Sequence, residues 1–124
     1  EIEEARESMR KRILIADDEP SILKAFCWAF APDYEVLTAN SGKAAVRLIQ
    51  EERPGLIVLD WRLKGELEGK DVLLFSKKEC PEIPVYVVTA SVHFMEEIKS
   101  LGADACFLKP CSDLREKIMA IFPP

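Results

Sequence analysis

The stretch LIVLD, residues 56–60, places four consecutive apolar residues directly before a single acid. A short continuous apolar run of this kind is typical of a strand that is buried on both faces, as in a parallel sheet covered by helices. Four comparable runs occur along the chain, at residues 13–16, 35–39, 84–88 and 105–108. The sequence therefore predicts five strands of one parallel sheet.

Amphipathic stretches separate these runs and predict helices. Ile22, Phe26 and Phe30 recur at a helical spacing after Pro20, a residue suited to a first helical turn. Ser41 can cap the second helix, residues 71–78 form a third, and a fourth apolar stripe stops at Gly102. A last apolar stripe runs from Leu114 to Phe122 and predicts the final helix. In the first helix, we expect Trp28 to pack in the interior. Five strand–helix repeats predict a doubly wound α/β sheet in a single domain.

We assign that domain to residues 12–124 and interpret residues 1–11, which are nearly all polar, as a tail, a tag remnant or a linker. The formal net charge of −5 argues against direct nucleic-acid binding, for which a basic surface would be expected. No apolar run approaches the ~20 residues of a membrane span, and no signal peptide is visible. Four cysteines without a CxxC pair are typical of reduced thiols, so we expect a cytoplasmic protein without a membrane partner.

Polar residues gather where the predicted strands end. Asp17, Asp18 and Glu19 follow the first strand, and Asp60 ends the third. Thr89 ends the fourth strand, and Lys109 ends the fifth. One acid at a strand end is usually a helix cap. Functional groups at four strand ends instead predict a site at the crevice beyond the carboxyl edge of the sheet, where open α/β sheets bind ligands.

The residue types at this edge indicate phosphoryl chemistry. Carboxylates held close together repel one another, and their oxygens suit Mg²⁺, which also binds water and phosphate oxygens. A lysine can neutralise a phosphate, and a threonine hydroxyl can donate a hydrogen bond to it. Asp60 is already ionised at neutral pH, so it can act as a nucleophile without a general base.

Four segments together resemble the receiver domain of bacterial two-component response regulators: ILIADDEP (13–20), LIVLDWRL (56–63), VYVVTA (85–90) and GADACFLKP (102–110). The resemblance covers nearly the whole predicted domain. It implies a flavodoxin-like sheet with the strand order 2-1-3-4-5. It also implies a Mg²⁺ site in which Asp18 binds the metal directly and Asp17 acts through water. Asp60 and the backbone carbonyl of Arg62 would complete the protein ligands.

The same resemblance implies that Asp60 accepts the phosphoryl group, with Thr89 and Lys109 binding its oxygens. The donor would be a sensor histidine kinase or a phosphotransfer protein, and the signal would pass to an output domain or partner that the sequence does not identify. Such a domain is not an enzyme, although it can catalyse its own phosphorylation and dephosphorylation. Trp61, next to the acceptor, is expected near the mouth of the site.

Two alternatives remain open at this point. One is an interaction module of the same fold that is never phosphorylated, which an incomplete acidic site would favour. The other is a phosphatase with an aspartate nucleophile, a class that has a second acid two residues further on, where this chain has Arg62.

Three departures from the family pattern affect the expected switch. Leu63 and Lys64 replace a common Met-Pro pair, and the loop 64–69 is one residue longer than usual. Cys106 occupies the place of an aromatic residue three positions before the lysine. We therefore expect the signal to travel through the loops after Asp60 and Thr89 and the helix that starts near Ser91, more than through position 106.

Overall fold

A computed structural model describes residues 10–124, so most of the predicted tail lies outside the described residues. The strands are β1 (Arg12–Ala16), β2 (Glu35–Ala39), β3 (Leu56–Asp60), β4 (Val85–Thr89) and β5 (Ala105–Leu108). The helices are α1 (Pro20–Phe30), α2 (Gly42–Glu52), α3 (Gly69–Glu79), α4 (Met95–Ser100) and α5 (Leu114–Ile121), with a 3₁₀ turn at Val92–Phe94 before α4. Within this part of the chain, no helix has the length and apolar character needed to cross a membrane.

The five strands form one parallel sheet in the order β2-β1-β3-β4-β5, which confirms the predicted fold. All residues of β3 and β4 are buried, as are four of the five in β1. The edge strands β2 and β5 are only partly buried, so the expectation that every strand is covered on both faces was wrong for these two. An edge strand has a neighbour on one side only, and its outer margin stays near solvent.

The sheet separates two hydrophobic cores because side chains alternate between its faces. Leu14, Leu59 and Val87 belong to the core packed under α2, α3 and α4, which we call the α2–α4 core. Ile15 and Val58 belong to the opposite α1–α5 core. Neighbouring residues of one strand therefore belong to different cores.

Helix α1 packs one face on the α1–α5 core through Phe30, which is buried, and Phe26, which is partly buried. Trp28 lies on the opposite side of this helix and is 79% exposed. The expected packing of Trp28 was therefore wrong. Residues two apart on a helix point about 200° apart, so a helix that buries positions 26 and 30 turns position 28 toward solvent.

The helix ends follow local chemistry. The Ser41 hydroxyl accepts a hydrogen bond from the Ala44 amide at 3.1 Å, as predicted for the cap of α2. Gly102 has a φ of +105°, a conformation that favours glycine, and it follows α4 as predicted. Helix α3 begins at Gly69, two residues before the predicted start at Asp71. The Asp71 carboxylate lies in the first turn and accepts a hydrogen bond from the Glu68 amide at 2.8 Å.

Gly69 joins helix α3 to the end of strand β3. A Cβ atom at this position would lie 2.5 Å from the Trp61 carbonyl oxygen and 2.7 Å from that of Asp60. Only a residue without a side chain fits so close to backbone atoms. The longer loop after β3 therefore returns to pack directly on the backbone of the predicted acceptor.

Candidate functional site

Three carboxylates meet at the carboxyl edge of the sheet. Asp17 and Asp18 directly follow β1, and Asp60 is the last residue of β3. One oxygen of each lies within 4.8 Å of the others. Because β1 and β3 are hydrogen-bonded neighbours, the sheet itself brings these side chains together. Asp17 is only 3% exposed and Asp60 8%, so both acids are nearly enclosed.

The backbone at both strand ends is fixed by hydrogen bonds that extend the ladders. The Asp17 amide donates to the Ala39 carbonyl at 3.0 Å, and the Trp61 amide donates to the Val88 carbonyl at 3.0 Å. The Asp17 Oδ1 atom accepts a hydrogen bond from the Glu19 amide at 2.9 Å. The two buried acids are therefore held on rigid scaffolding, as a preorganised site requires.

Lys109 contributes the cation that the sequence predicted. Its Nζ atom lies 3.2 Å from Asp60 Oδ1 and 3.7 Å from Asp17 Oδ2. The Lys109 amide donates to the Thr89 carbonyl at 2.8 Å, which sets the side chain at the site. The peptide bond between Lys109 and Pro110 is cis.

The charges of the site are not balanced. Burial is the main cause that raises the pKa of Asp60, the charge of Asp17 raises it further, and Lys109 opposes both. Burial also raises the pKa of Asp17, while the hydrogen bond from the Glu19 amide and the charge of Lys109 act against it. One ammonium group facing three carboxylates leaves excess negative charge, and a divalent cation bound by oxygen ligands would relieve it.

Thr89 is buried and also lines the cleft above the acids. Its hydroxyl oxygen accepts a hydrogen bond from the Ser91 amide at 3.3 Å and lies 3.5 Å from the Ser91 carbonyl oxygen. Both distances are long for a hydrogen bond, so the hydroxyl is held weakly. Next to it, Ala90 also lines the cleft.

Arg62 is also at the cleft, where its amide donates to Asp60 Oδ1 at 3.4 Å. The metal-binding role of its carbonyl stays a prediction. Trp61, 9% exposed, forms part of the wall, as expected for a residue at the site mouth. Phe94, from the 3₁₀ turn before α4, also lines the cleft and was not among the predicted site residues. It lies five residues beyond Thr89, and no motif marks it in the sequence.

An apolar cavity of about 500 Å³ adjoins the acids on the side of the α1–α5 core. Its polar lining consists mainly of Asp17, Asp60 and Lys109, so it borders the site directly. The rest of its lining is largely apolar and comes from α1, the sheet and the segment leading into α5: Ile15, Ala16, Ile22, Phe26, Val58, Val88, Pro110, Cys111 and Leu114.

Residues 13–121 match the family model described as the response regulator receiver domain. Among solved structures, a CheY-like response regulator receiver domain protein from Methanospirillum hungatei is 32% identical, with a TM-score of 0.83 over 90% of this chain and 93% of that one. The response regulator TrrA from Thermotoga maritima, solved in complex with Mg²⁺ and BeF, is 28% identical, with a TM-score of 0.80 over 90% of this chain and 98% of that one.

Curated relatives are longer than this chain. The alginate biosynthesis transcriptional regulatory protein AlgB of Pseudomonas putida is 37% identical over 112 residues, which are 88% of this chain and 25% of that protein. The alkaline phosphatase synthesis transcriptional regulatory protein PhoP of Bacillus subtilis is 32% identical over 118 residues, 91% of this chain and 49% of that protein. The chain thus spans about a quarter to a half of the curated relatives it matches.

Proposed function

The chain belongs to the response regulator receiver domains of two-component signal transduction, and on this premise we propose that it is a phosphorylation switch with Asp60 as the phosphoryl acceptor. One observation supports the proposal most strongly. The buried Asp60 carboxylate lies within 4.8 Å of two further acids, faces the Lys109 ammonium group at 3.2 Å and shares a cleft with the Thr89 hydroxyl.

In the proposed reaction, an Asp60 oxygen attacks phosphorus of the donor phosphohistidine. The new O–P bond forms as the P–N bond breaks, and the electron pair of that bond returns to the imidazole ring of the donor. The Lys109 ammonium group then neutralises an oxygen of the transferred group, and the Thr89 hydroxyl donates a hydrogen bond to another. The chain contributes positioning and charge neutralisation, which are the main needs of phosphoryl transfer.

The donor set fits Mg²⁺, since three carboxylates with one facing lysine retain net negative charge. We propose that Asp17, Asp18, Asp60 and the Arg62 carbonyl would hold the ion, Asp17 through water. When bound, the ion would neutralise charge on the phosphoryl oxygens. Its role here is supported by the Mg²⁺–BeF complex of TrrA, a receiver-family relative.

We propose a sensor histidine kinase or a phosphotransfer protein as the donor. The apolar cavity beside Asp60 and Lys109 would accommodate side chains of the donor segment that carries the histidine. The recipient of the signal would be an output domain or a partner protein, which is supported by the greater length of the transcriptional regulatory proteins AlgB and PhoP. The four cysteines are unpaired, which supports a cytoplasmic location. A net charge of −5 supports a domain that does not itself bind nucleic acid.

An interaction module that is never phosphorylated is the competing function. An incomplete acidic site would favour it, whereas here the acids, the lysine and the threonine share one cleft. The experiment that separates the two is incubation with acetyl phosphate and Mg²⁺, followed by intact-mass measurement. We expect one phosphoryl group per chain, and no labelling when a chelator is present from the start. An unmodified mass under saturating acetyl phosphate and Mg²⁺ would favour the interaction module.

A further inference from the structure

The Thr89 hydroxyl is bound to a short segment that leads away from the site. The Ser91 amide donates a hydrogen bond to Thr89 Oγ1 at 3.3 Å, and the Ser91 hydroxyl accepts a hydrogen bond from the His93 amide at 3.2 Å. The Ser91 carbonyl accepts a hydrogen bond from the Phe94 amide at 3.4 Å and lies 3.5 Å from Thr89 Oγ1. Ser91 therefore links the hydroxyl at the site to His93 and Phe94 of the 3₁₀ turn Val92–Phe94. All four distances are at the long end for hydrogen bonds, so this turn is weakly held.

Phe94 occupies a position between the site and the core. Phe94 lines the cleft that contains Asp60, Thr89 and Lys109, and it is one of the partly buried hydrophobic residues packed against the α2–α4 core. Val92, at the other end of the same turn, is 61% exposed. A shift of this turn would therefore change the cleft wall and an apolar surface at the same time.

We propose that Phe94 is the residue through which occupation of the Asp60 site reaches the surface, by way of the Thr89–Ser91 hydrogen bonds. This inference rests on the proposed function, because it needs an anionic group on Asp60. A threonine hydroxyl has one proton to donate. A phosphoryl oxygen is a stronger acceptor than the Ser91 carbonyl, since charge-assisted hydrogen bonds are about twice as strong as neutral ones. When Thr89 donates to that oxygen, its proton is no longer available to the Ser91 carbonyl. Rotation of the hydroxyl toward the phosphoryl group also draws it away from the Ser91 amide, and the turn carrying Phe94 moves.

The alternative route through Cys106 has no comparable connection. Cys106 pairs with Val87 in the ladder between β4 and β5, and Thr89 pairs with Leu108 two residues further along. No hydrogen bond joins the Cys106 side chain to the threonine in the described part of the chain. Cys106 packs against the same α2–α4 core as Phe94, but its small side chain leaves little to rearrange.

The test is the response of the Phe94 ring to Mg²⁺ with beryllofluoride, a phosphoryl mimic, in protein labelled with ¹³C-phenylalanine. We expect the Phe94 ring and the amides of Val92 and His93 to shift, while Phe75 shifts little. Phe75 is a matched internal control because it packs on the same core from α3. In Thr89→Val, which keeps the branched shape without the hydroxyl, the Phe94 shift should be lost. Thr38→Val, on the edge strand β2, should keep it.

A second variant tests Phe94 itself. In Phe94→Leu, the Trp61 and Arg62 amides beside the acceptor should still report the bound mimic, while the shifts beyond the turn, in the amides of α4 (Met95–Ser100), are lost because no ring couples the turn to the α2–α4 core. Phe75→Leu should retain both responses. If Trp61 and Arg62 respond but Phe94 is silent, or if Phe94 still shifts in Thr89→Val, the coupling is wrong and the proposed acceptor stands. If neither Asp60 neighbour responds at saturating mimic, the acceptor assignment fails and the coupling fails with it.

Discussion

Lys109 Nζ lies 3.2 Å from Asp60 Oδ1, although β4 separates their two strands in the sheet. The ion pair thus joins β3 to the edge strand β5 across the top of β4. Lys109 is 30% exposed in its side chain, while the Asp60 side chain is 10% exposed. With a phosphoryl group on Asp60, the Lys109 ammonium group would pair with a phosphoryl oxygen and no longer with the carboxylate. The ion pair is therefore both a structural link and a part of the proposed chemistry.

Replacing Asp60 with asparagine should abolish labelling by acetyl phosphate while the domain stays folded. The side chain keeps its shape but loses the charge that makes it a nucleophile. We expect intact-mass spectra of Asp60→Asn to show no phosphoryl adduct. Asp113→Asn is the matched control, because this exposed acid pairs with Lys117 away from the cleft and should leave labelling unchanged. Labelling of Asp60→Asn at another aspartate with wild-type yield would contradict the assignment.

Added Mg²⁺ should raise the melting temperature by relieving repulsion among the three clustered acids. At a concentration ten times the dissociation constant, the expected stabilisation is about 1.4 kcal/mol. For a domain of this size that corresponds to roughly 4–6 °C in a thermal scan. Asp18→Ala should lose the response, whereas Glu66→Ala, in the exposed loop after β3, should keep it. A flat wild-type response to Mg²⁺ would remove the metal from the proposed function.

Without metal, the buried Asp17 charge should make stability depend on pH. The pKa of Asp17 is raised on folding, mainly by burial, above its ordinary value of 3.8. Between that value and the raised one, the folded state binds more protons than the unfolded chain, so the Asp17 contribution to the unfolding free energy falls as pH rises. In urea unfolding with chelator present, the unfolding free energy of Asp17→Asn relative to the wild type should therefore increase as pH rises through this window.

At neutral pH the gain should be about 1 kcal/mol, the usual size of a single-residue effect. Asparagine keeps the oxygen that accepts from the Glu19 amide, so this hydrogen bond is retained while the charge is removed. A difference between the two proteins that stays constant with pH, or that grows toward acid, would show that Asp17 is not a strained buried charge.

Tryptophan fluorescence should report the site through Trp61 alone. Trp61 lines the cleft and is 9% exposed, whereas Trp28 is 79% exposed on the outer side of α1. Titration with Mg²⁺ and then beryllofluoride should change the emission of the wild type. Trp61→Phe should remove this change, and Trp28→Phe should preserve it. The opposite pattern would place the ligand near α1 instead of at Asp60.

Gly69→Ala should destabilise the domain by about 2 kcal/mol or more and weaken the Mg²⁺ response. The added methyl group would collide with the backbone carbonyls of Asp60 and Trp61, which cannot move without shifting the acceptor. Lys70→Ala, the next position of α3, adds no such contact and should stay close to wild type by urea unfolding. Wild-type stability and Mg²⁺ response in Gly69→Ala would show that the loop relaxes freely.

The sheet and the grouping of Asp17, Asp60, Thr89 and Lys109 were predictable because each depends on a local pattern. Buried parallel strands appear in the sequence as apolar runs, and their carboxyl ends must share one edge. The strand order came from the family resemblance and is confirmed. The roles of these residues, and that of the Arg62 carbonyl, stay proposals to be tested as described above.

Features set by packing between distant segments could not be read in the same way. The sequence alone does not distinguish Trp28 from a buried aromatic residue, because the orientation of α1 is set by the packing of Phe26 and Phe30 on the α1–α5 core. Gly69 owes its place to the return of a long loop onto β3, which no short motif records. Phe94 reaches the cleft only because a 3₁₀ turn precedes α4.

The division of the molecule into two cores has a consequence for assembly order. The cavity proposed for the donor opens from the α1–α5 side, while Phe94 belongs to the α2–α4 side of the sheet. We therefore expect a donor segment in this cavity and a partner at the exposed Val92 surface to contact different residues of the domain. Competition for one surface would then not fix the order in which donor and partner bind.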